Sequence, residues 1–295
     1  MMNFRKITLD DRDAVNRCLA LSDFRAAEYS FANAFNWSLA FGIEIAFADG
    51  FLLQRSGDNP KYYMYPPGAG DIKKVIQAIF DDAAEGGYTA VIRAILPEQK
   101  ALLEALFPGR FRFTPQRQSF DYIYHSDDLI RLAGRKYQAK RNHAARFKKT
   151  FAWTYEPITG DNLAECVAMN QEWCRVYGCH DNLSLRAETC AVRRALLYFS
   201  EERQLGGLLR VDGRVAAYTV GEQLNSDTLI VHIEKAFSEL FPGAYQVINQ
   251  EFVRRHAGSL PYVNREDDTG DAGLRKAKLS YHPAFLLEKY IAELL

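Results

Sequence analysis

The hydrophobic positions of the chain change period several times, and they do so in the same order in both halves. In the first half, apolar residues at helical spacing precede three short runs typical of strands, after which helices and strands alternate. The predicted order is helix, helix, three strands, helix, strand, helix and strand. The predicted ranges are Asp10–Ser22, Phe31–Trp37, Phe41–Phe47, Gly50–Gln54, Tyr62–Tyr65, Ile72–Ala84, Tyr88–Ile95, Pro97–Leu106 and Ser119–Tyr124.

The second half repeats this order after a first short strand. A repeated order of elements indicates duplication of a single domain. We therefore predict a first domain over residues 1–134, a basic linker helix over 135–150 and a second domain over 151–295. The ranges predicted in the second half are Ala152–Glu156, Asp161–Tyr177, Leu185–Phe199, Gln204–Val211, Val215–Gly221, Thr228–Ile233, Tyr262–Asn264, Ala272–Leu279 and a strand from Phe285.

A Pro-Gly-Ala turn leads from a strand region into a helix in each half, at residues 67–69 and again at residues 242–244. Backbone N–H groups at the start of a helix lack intrahelical partners, and the helix dipole is positive there, so such a turn can bind a phosphate or carboxylate. We predict that Gly243, Ala244 and Tyr245 contact such a group. An ordinary turn is the structural alternative.

The composition is that of a globular protein with balanced charge. Of 295 residues, 48% are hydrophobic and 25% are charged, with 37 basic side chains against 37 acidic ones. This balance argues against a general nucleic-acid coat, although it permits a local basic patch. No apolar run is long enough to span a bilayer, and the start shows no signal-peptide pattern, so we expect a cytoplasmic location.

The cysteines and histidines do not predict a metal site or a disulfide framework. The five cysteines are Cys18, Cys166, Cys174, Cys179 and Cys190, and they lack the paired spacing of a disulfide scaffold. We expect reduced thiols. Cys174, Cys179 and His180 lie close in sequence, but a regular four-ligand pattern is missing and no metal is expected.

A cation-rich segment, GRKYQAKRNHAARFKK, separates the two halves and contains no acidic residue. Its apolar members Tyr137, Ala144 and Phe147 are spaced to dock on a domain as one face of a helix. The cations would then form either a solvated face or an anion-binding surface for tRNA, a nucleotide or anionic lipid headgroups. The predicted anion-binding residues are Arg135, Lys136, Lys140 and Arg141.

Several segments carry a family resemblance along nearly the whole chain. The element order of each half resembles the GCN5-related N-acyltransferase (GNAT) fold, in which a turn after the fourth strand receives the pyrophosphate of acyl-coenzyme A. The segments VHIEKAF, FPGAYQVINQEF, YVNREDDTGDAGLRKAKLSYHP and GRKYQAKRNHAARF resemble a bacterial family grouped with the C-terminal domain of phosphatidylglycerol lysyltransferase. This resemblance implies an α/β protein of two tandem GNAT-like domains, each a mixed, mostly antiparallel sheet flanked by helices. It also implies a distant relation to the peptidoglycan-bridge aminoacyltransferases, which use aminoacyl-tRNA.

Candidate catalytic residues follow the strands of the second half, where sites of open α/β sheets collect. Acyl transfer to an amine requires removal of the amine proton, stabilisation of the carbonyl oxygen and protonation of the leaving group. Glu234 or Asp267 would accept the proton, Lys278 would stabilise the oxyanion or a phosphate, and Tyr281 would return a proton. Lys278 resembles the terminal lysine of the lipid aminoacyltransferases, and we expect it to affect stability little. The remaining predicted substrate contacts are Lys235, Asn264 and Arg265.

Two classes of function remain open from the sequence. The first is an acyl or aminoacyl transferase with its active site in the second domain, the first domain being structural or acceptor-binding. Its donor would be aminoacyl-tRNA or acyl-coenzyme A, used as a substrate instead of a tightly bound cofactor, and its acceptor an amine or hydroxyl. The second is a non-catalytic protein that binds an acylated or phosphorylated ligand, with the same side chains serving as strand-end pairs, a solvated loop and an exposed lysine.

Overall fold

The computed structural model describes residues 2–178 and 183–295, which form ten α-helices and fourteen strands in these ranges. The strands are β1 (Arg5–Lys6), β2 (Glu44–Ala48), β3 (Phe51–Ser56), β4 (Tyr62–Met64), β5 (Val91–Ile95), β6 (Phe111–Pro115), β7 (Asp121–His125), β8 (Trp153–Pro157), β9 (Leu205–Val211), β10 (Arg214–Gln223), β11 (Thr228–Ala236), β12 (Tyr262–Asn264), β13 (Phe285–Leu287) and β14 (Tyr290–Leu294). The helices are α1 (Arg12–Ser22), α2 (Phe31–Phe41), α3 (Ile72–Glu85), α4 (Pro97–Leu106), α5 (Ser126–Arg131), α6 (Gln138–Thr150), α7 (Leu163–Val176), α8 (Leu183–Leu197), α9 (Ala244–His256) and α10 (Ala272–Leu279).

The strands form two seven-stranded sheets of related order. One sheet runs β1-β2-β3-β4-β5-β14-β6 and the other runs β13-β7-β12-β11-β10-β9-β8. The meanders β2-β3-β4 and β9-β10-β11 are antiparallel, whereas β4 pairs with β5, and β11 with β12, in parallel. The predicted α/β class with two mixed, mostly antiparallel sheets is confirmed.

Each sheet takes one strand from the other half of the sequence, an exchange that the element order did not predict. Strand β14, the last of the chain, lies between β5 and β6, where Ile291 faces Thr114 in the register. Strand β7 takes the equivalent place beside β12, with Val263 opposite Tyr124. Pairing in these registers gives hydrogen-bond partners to the backbone N–H and C=O groups of both strands, which would be costly to bury without partners.

Two compact units therefore differ from the predicted division of the chain. The first unit runs to Asp121 and also contains Asp267–Ala272 and Leu286–Leu295, while the second contains Tyr122–Glu266 and Gly273–Phe285. The predicted linker forms a helix, α6, but it belongs to the second unit. Tyr137, Ala144 and Phe147 are buried in that unit, as their spacing predicts.

The core of the second unit lies on both faces of its sheet, because successive strand residues point to opposite sides. Leu208 packs in a cluster with residues of α7 and α8, whereas the next residue, Leu209, packs with α6 and α9. Val247 and Ile248 of α9 are fully buried in the second of these clusters. Each such aliphatic side chain contributes about 1.5–3 kcal/mol of burial free energy, which fixes α9 against the sheet.

Several observed elements differ from the predicted ones, and the end of α2 shows a local reason. Helix α2 continues to Phe41 and ends where Gly42 adopts a left-handed conformation with φ 61°, so the strand predicted from Phe41 begins at Glu44 instead. Strand β6, Phe111–Pro115, was not predicted, and the final strand is divided into β13 and β14. The first-half helix α3 buries Val75, Ile76 and Ile79 toward the first core, as predicted.

Candidate functional site

The candidate site lies where β11 and β12 of the second unit part. The parallel ladder joins Thr228 to Tyr262 and ends at the pair Ile230 and Asn264. Strand β11 continues for six more residues, whereas the chain leaves β12 immediately after Asn264. The segment that follows β12 can therefore direct its side chains toward the part of β11 that extends beyond β12, and Arg265 does so.

Glu234 and Arg265 form a largely buried ion pair at this point. The Nη2 atom of Arg265 donates to Oε1 of Glu234 at 2.9 Å, and the two side chains are 12% and 11% exposed. The second carboxylate oxygen of Glu234 accepts a hydrogen bond at 3.0 Å from Nδ2 of Asn249, a buried residue of α9. Burial has the largest single effect and lowers the pKa of Arg265, but Glu234, Tyr124 and Tyr281 together outweigh it, and the net shift is upward. Arg265 is therefore ionised at neutral pH.

One nitrogen of Arg265 is buried without a partner. Among the described residues, its Nη1 atom has no hydrogen-bond acceptor. Since buried polar groups are almost always hydrogen-bonded, such an unsatisfied donor marks either strain or a place that a ligand completes.

Two tyrosines stand beside the guanidinium group. The Cζ atom of Arg265 lies 4.8 Å from the ring centre of Tyr281 and 5.8 Å from that of Tyr124. Burial raises the pKa of Tyr281 to about 12, although Arg265 partly opposes the rise. Tyr281 therefore keeps its phenolic proton near neutral pH. The predicted catalytic residues Glu234 and Tyr281 are thus brought together around Arg265.

Lys140 of α6 also reaches this cluster. Its Nζ atom lies 4.2 Å from the centre of the Tyr281 ring, in a cation–π contact. Burial lowers the pKa of Lys140, the neighbouring charge of Arg265 lowers it further, and Glu234 opposes both. Within the described ranges, no carboxylate pairs with this ammonium group.

The other three predicted anion-binding residues occupy different places. Lys136 pairs with Asp128 at 3.3 Å, and Arg141 donates to the backbone carbonyls of Leu132 and Gly134, so both side chains hold local structure. Arg135 is exposed at the start of the segment. Only Lys140 of the four is part of the cluster around Arg265.

Lys278 contacts the backbone of the site. Its Nζ atom donates at 2.6 Å to the carbonyl oxygen of Arg265, and its own carbonyl accepts from the Tyr124 hydroxyl at 2.8 Å. The ammonium group therefore holds the Arg265 backbone in place. Its predicted role in stabilising an oxyanion stays a prediction.

Three further predicted residues do not join the cluster. Lys235 follows Glu234 on β11 and so points to the opposite face, where its Nζ atom lies 2.5 Å from Glu188. Asn264 is fully buried and accepts the backbone N–H of Glu266 through Oδ1 at 2.7 Å. Asp267 belongs to the first unit. Burial lowers the pKa of Lys289, but the charges of Asp121 and Glu28 outweigh that effect, and Asp267 adds a smaller upward contribution.

The turn at the start of α9 is covered by α6. Gly243 has φ 101°, and a Cβ atom added there would lie 2.5 Å from the backbone oxygen of His143. The N–H of Ala244 already donates to the carbonyl of Phe241 at 3.0 Å, and the residue is fully buried. The premise that Ala244 offers an unused donor is thus wrong. Burial raises the pKa of Tyr245 to about 12, so it too is a neutral phenol at this turn.

A buried histidine beside the site was not predicted. Glu222 and Glu266 accept from His232, with distances of 3.0 Å to Nε2 and 2.8 Å to Nδ1. Burial alone lowers the pKa of His232, but the two carboxylates outweigh it and raise the pKa to about 10. His232 lies where the β10–β11 pairing is irregular, because Val220 pairs with Ile233 and Gly221 with Val231. It stands two residues before Glu234 in the run VHIEKAF, so the sequence did contain a signal for it.

The equivalent position of the first unit is apolar. Strand β5 is followed by Leu96, whereas β12 is followed by Arg265. Leu96 is fully buried in a cluster with Met64 and Tyr29, and the Tyr29 hydroxyl accepts from Gln99 at 2.9 Å. The first unit thus has an apolar residue at the position that Arg265 occupies in the second unit.

The described ranges were searched for possible metal-ion ligand groups and for helices that could cross a membrane. Across residues 2–178 and 183–295, no group of three or more histidine, cysteine or acidic side chains is placed to hold a metal ion. Cys18, Cys166, Cys174 and Cys190 are free thiols. Cys179 and His180 lie outside the described residues. Over the same part of the chain, every helix is too short or too polar to span a membrane.

Comparison with known proteins places the chain among tandem acyltransferase folds. Residues 19–293 match the family described as phosphatidylglycerol lysyltransferase, C-terminal. A conserved protein of unknown function from Bacteroides thetaiotaomicron is 40% identical, with a TM-score of 0.96 and full coverage of both chains. The L-PGS structure from Bacillus licheniformis has a TM-score of 0.69 at 14% identity, over 96% of this chain and 92% of that one.

Two further proteins are similar at low sequence identity or over only part of the chain. A tandem GNAT protein from the clavulanic acid pathway shares the fold with a TM-score of 0.50 at 13% identity, over 99% of this chain and 98% of that one. An uncharacterised protein of Mycoplasmoides gallisepticum is 27% identical over 187 residues, which are 60% of this chain and 57% of that relative. The match thus spans little more than half the length of that relative.

Proposed function

Because the chain belongs to the phosphatidylglycerol lysyltransferase C-terminal family, we propose that it transfers an acyl or aminoacyl group from a carrier to an amine or hydroxyl acceptor. The observation that supports this proposal is the largely buried Glu234–Arg265 pair, which lies beside Tyr281 and Lys140. Among the described residues, the Nη1 atom of Arg265 has no hydrogen-bond acceptor. A carboxylate, two cations and a neutral phenol within one cluster are the groups that acyl transfer uses.

The chemistry follows from the charges of these groups. The acceptor nitrogen or oxygen attacks the carbonyl carbon of the donor ester and gives its proton to Glu234, directly or through water. Negative charge develops on the carbonyl oxygen, and Arg265 and Lys140 stabilise it. The bond to the carrier oxygen then breaks. Tyr281, with its pKa near 12, gives a proton to that oxygen and recovers one from Glu234.

The turn before α9 favours aminoacyl-tRNA over acyl-coenzyme A as the donor. A pyrophosphate needs open backbone donors at the start of that helix. The Ala244 N–H already has an acceptor, and α6 covers Gly243. Exposed cations on and near α6, among them Arg135 and Lys149, offer a surface for the phosphates of tRNA.

The rival function, ligand binding without catalysis, has one observation in its favour. Lys278 is engaged with the Arg265 carbonyl, and Asp267 belongs to the other unit, so two of the four predicted catalytic groups are absent from the cluster. Binding would still require Arg265 and Lys140.

A transfer assay tests the proposal. Purified protein is incubated with bacterial tRNA charged with labelled amino acids, and with phosphatidylglycerol vesicles or small amines, and label in the acceptor is measured. We expect transfer, a loss of about a hundredfold or more in Glu234→Gln, and no change in Glu172→Gln, which removes an exposed pair with Arg214 at 2.8 Å. Transfer from acetyl-coenzyme A instead would reject the tRNA donor. Stabilisation by charged tRNA without any transfer would favour the binding function.

A further inference from the structure

His232 stands at a bulge in the β10–β11 ladder. Val220 of β10 pairs with Ile233, but the next residue, Gly221, pairs with Val231. The register thus skips His232, which is the extra residue of the bulge. A bulge re-aims the side chain of its extra residue, and bulges are over-represented beside active sites. The imidazole ring is therefore directed independently of the regular alternation along β11.

Strand β10 is shaped to allow this bulge. A Cβ atom added at Gly221 would collide with the backbone oxygen of Ile230 on β11, and it would lie 3.2 Å from Cζ of Phe252. Glycine marks positions in strands where a bulge occurs or another backbone approaches closely. The close approach of the two backbones thus depends on Gly221.

Both ring nitrogens of His232 are engaged by carboxylates. Nδ1 lies 2.8 Å from Oε1 of Glu266, Nε2 lies 3.0 Å from Oε1 of Glu222, and the His232 side chain is 11% exposed. Ionised carboxylates only accept hydrogen bonds, so both nitrogens donate and the ring is positively charged. A ring that donates through both nitrogens cannot accept a proton from a substrate. Its geometry suits holding another residue in place.

The residue that His232 holds has an unfavourable backbone conformation. Glu266 has φ 56°, in the left-handed region that residues other than glycine rarely adopt. Its N–H donates to Oδ1 of Asn264 at 2.7 Å, and its carbonyl accepts from the N–H of Tyr122 at 3.1 Å. Strained residues persist where their surroundings hold them, and they cluster at functional sites. The contact between the Glu266 side chain and His232 is a third such restraint.

Glu266 directly follows Arg265, so its conformation affects where the guanidinium group lies. The Arg265 N–H donates to the carbonyl of Tyr122 at 3.0 Å, and the Arg265 carbonyl accepts from Lys278 at 2.6 Å. Nη2 of Arg265 then lies 2.9 Å from Glu234. Relaxation of Glu266 to an ordinary φ would turn the chain at this point and displace Arg265 from these partners.

Resting on the proposed function, we infer that His232 is a positioning residue for transfer: through Glu266 it holds the left-handed turn that places Arg265 against Glu234. In this role His232 acts through other residues and touches no reacting atom. Its effect is on the preorganisation of Arg265, which in the proposed reaction stabilises the developing oxyanion. Loss of an interaction made only in the transition state lowers kcat and leaves the KM for the donor unchanged.

A glycine and alanine pair at position 266 tests the inference. Glu266→Gly and Glu266→Ala both remove the carboxylate, but only glycine adopts the left-handed conformation freely. We expect Glu266→Ala to lower kcat about tenfold or more, with the KM for charged tRNA unchanged. Glu266→Gly should lose less, about threefold at most. His232→Gln should lower kcat as Glu266→Ala does, and should have little further effect in the Glu266→Gly background.

A second readout does not need turnover. The side-chain N–H signal of Arg265 is followed in nitrogen–proton NMR spectra of the full chain, and it is identified by its absence from Arg265→Lys. We expect it to shift or broaden in His232→Gln and Glu266→Ala and to persist in Glu266→Gly. His256→Gln, which changes a histidine at the end of α9, is the control and should match the wild type in both measurements.

The outcomes separate this inference from the proposed function. If the Arg265 signal changes as expected but the wild type transfers nothing, the proposed transfer is rejected and the positioning of Arg265 by His232 is kept. If the wild type transfers and His232→Gln matches it in kcat and in the Arg265 signal, the positioning role is rejected, whatever stability is lost. Equal losses in Glu266→Gly and Glu266→Ala would also reject it. Should His232→Gln not fold, the two variants at position 266 decide alone.

Discussion

Lys278 donates a hydrogen bond from Nζ to the backbone oxygen of Arg265 at 2.6 Å, thirteen residues earlier in the chain. The side chain thus ties α10 to the residue that follows β12. Arg265 is in turn paired with Glu234. A lysine predicted to act on the substrate is therefore placed to position Arg265, which the proposed mechanism uses.

This contact changes what Lys278→Met should do. The substitution keeps most of the side-chain stem but leaves the Arg265 carbonyl without its donor, so we expect the free energy of unfolding to fall by about 1–3 kcal/mol. We also expect slower transfer in the proposed reaction, because Arg265 loses part of its support. Chemical denaturation gives the first quantity and the transfer assay the second.

Lys276→Met is the matched control for that experiment. It removes an exposed lysine two residues earlier on α10, and such changes usually alter stability by less than about 0.5 kcal/mol. Equal stability of Lys278→Met and Lys276→Met would contradict the positioning role and restore the original expectation of little effect on stability.

Removing the carboxylate of the Glu234–Arg265 pair should lower the free energy of unfolding more than Lys278→Met does. Glu234→Gln leaves the buried Arg265 without its countercharge, and breaking a buried pair from one side costs about 3–5 kcal/mol. We expect a loss near the lower end, because glutamine can still hydrogen-bond to Asn249. Urea denaturation of Glu234→Gln and Glu172→Gln measures it, and the exposed Glu172 pair should contribute less than about 1 kcal/mol.

A double variant separates pairing from other effects. In Glu234→Gln/Arg265→Met the unpaired charge is also removed, so the combined loss should be smaller than the sum of the single losses. Strictly additive losses would mean that the two side chains do not stabilise one another.

The sequence predicted the order of helices and strands well, because hydrophobic periodicity and the Gly and Pro residues that end elements are local features of the chain. The meanders, the helix after each Pro-Gly-Ala turn and the docking face of α6 all follow from residues close together in the chain. The exchange of β7 and β14 could not be predicted in this way. It depends on which of two similar sheet edges each strand joins, and the alternation within a strand does not encode that choice.

The site shows the same division between local and distant information. Glu234, Arg265 and Tyr281 were singled out because they end or follow strands of one half, and they meet. Asp267 was grouped with them by sequence proximity, but the chain passes to the other unit within two residues of Arg265. Lys140 and Asn249 come from helices whose packing on the sheet is a tertiary property.

His232 should make stability depend on pH in the alkaline range. Its pKa is raised from an ordinary value of 6.5 to about 10 in the folded protein, because Glu222 and Glu266 outweigh the effect of burial. The folded state thus binds the proton more tightly than the unfolded state does. This stabilisation is complete below pH 6.5 and is lost as the pH rises toward 10.

The measurement compares the wild type with His232→Gln. Denaturation curves between pH 6 and pH 10 should show a steeper decline in the free energy of unfolding for the wild type, since the variant lacks the titrating ring. Other groups that titrate in this range contribute to both proteins and cancel in the difference. Parallel pH profiles would show that His232 is not protonated in the folded state.

Gly243→Ala should disrupt the contact between α6 and the start of α9. The residue has φ 101°, and its added Cβ would lie 2.5 Å from the His143 oxygen and 2.9 Å from Cβ of Phe147. Backbone strain costs about 1 kcal/mol or more, and overpacking typically adds about 1–3 kcal/mol. Gly213→Ala provides the control, because Gly213 has a similar φ of 80° but nothing within 4 Å of the added atom. We expect thermal and urea denaturation to show a loss at Gly243 that exceeds the loss at Gly213 by about 1–3 kcal/mol. If the two variants lost equal stability, α6 would not press on this turn, and the turn would be open to a phosphate group after all.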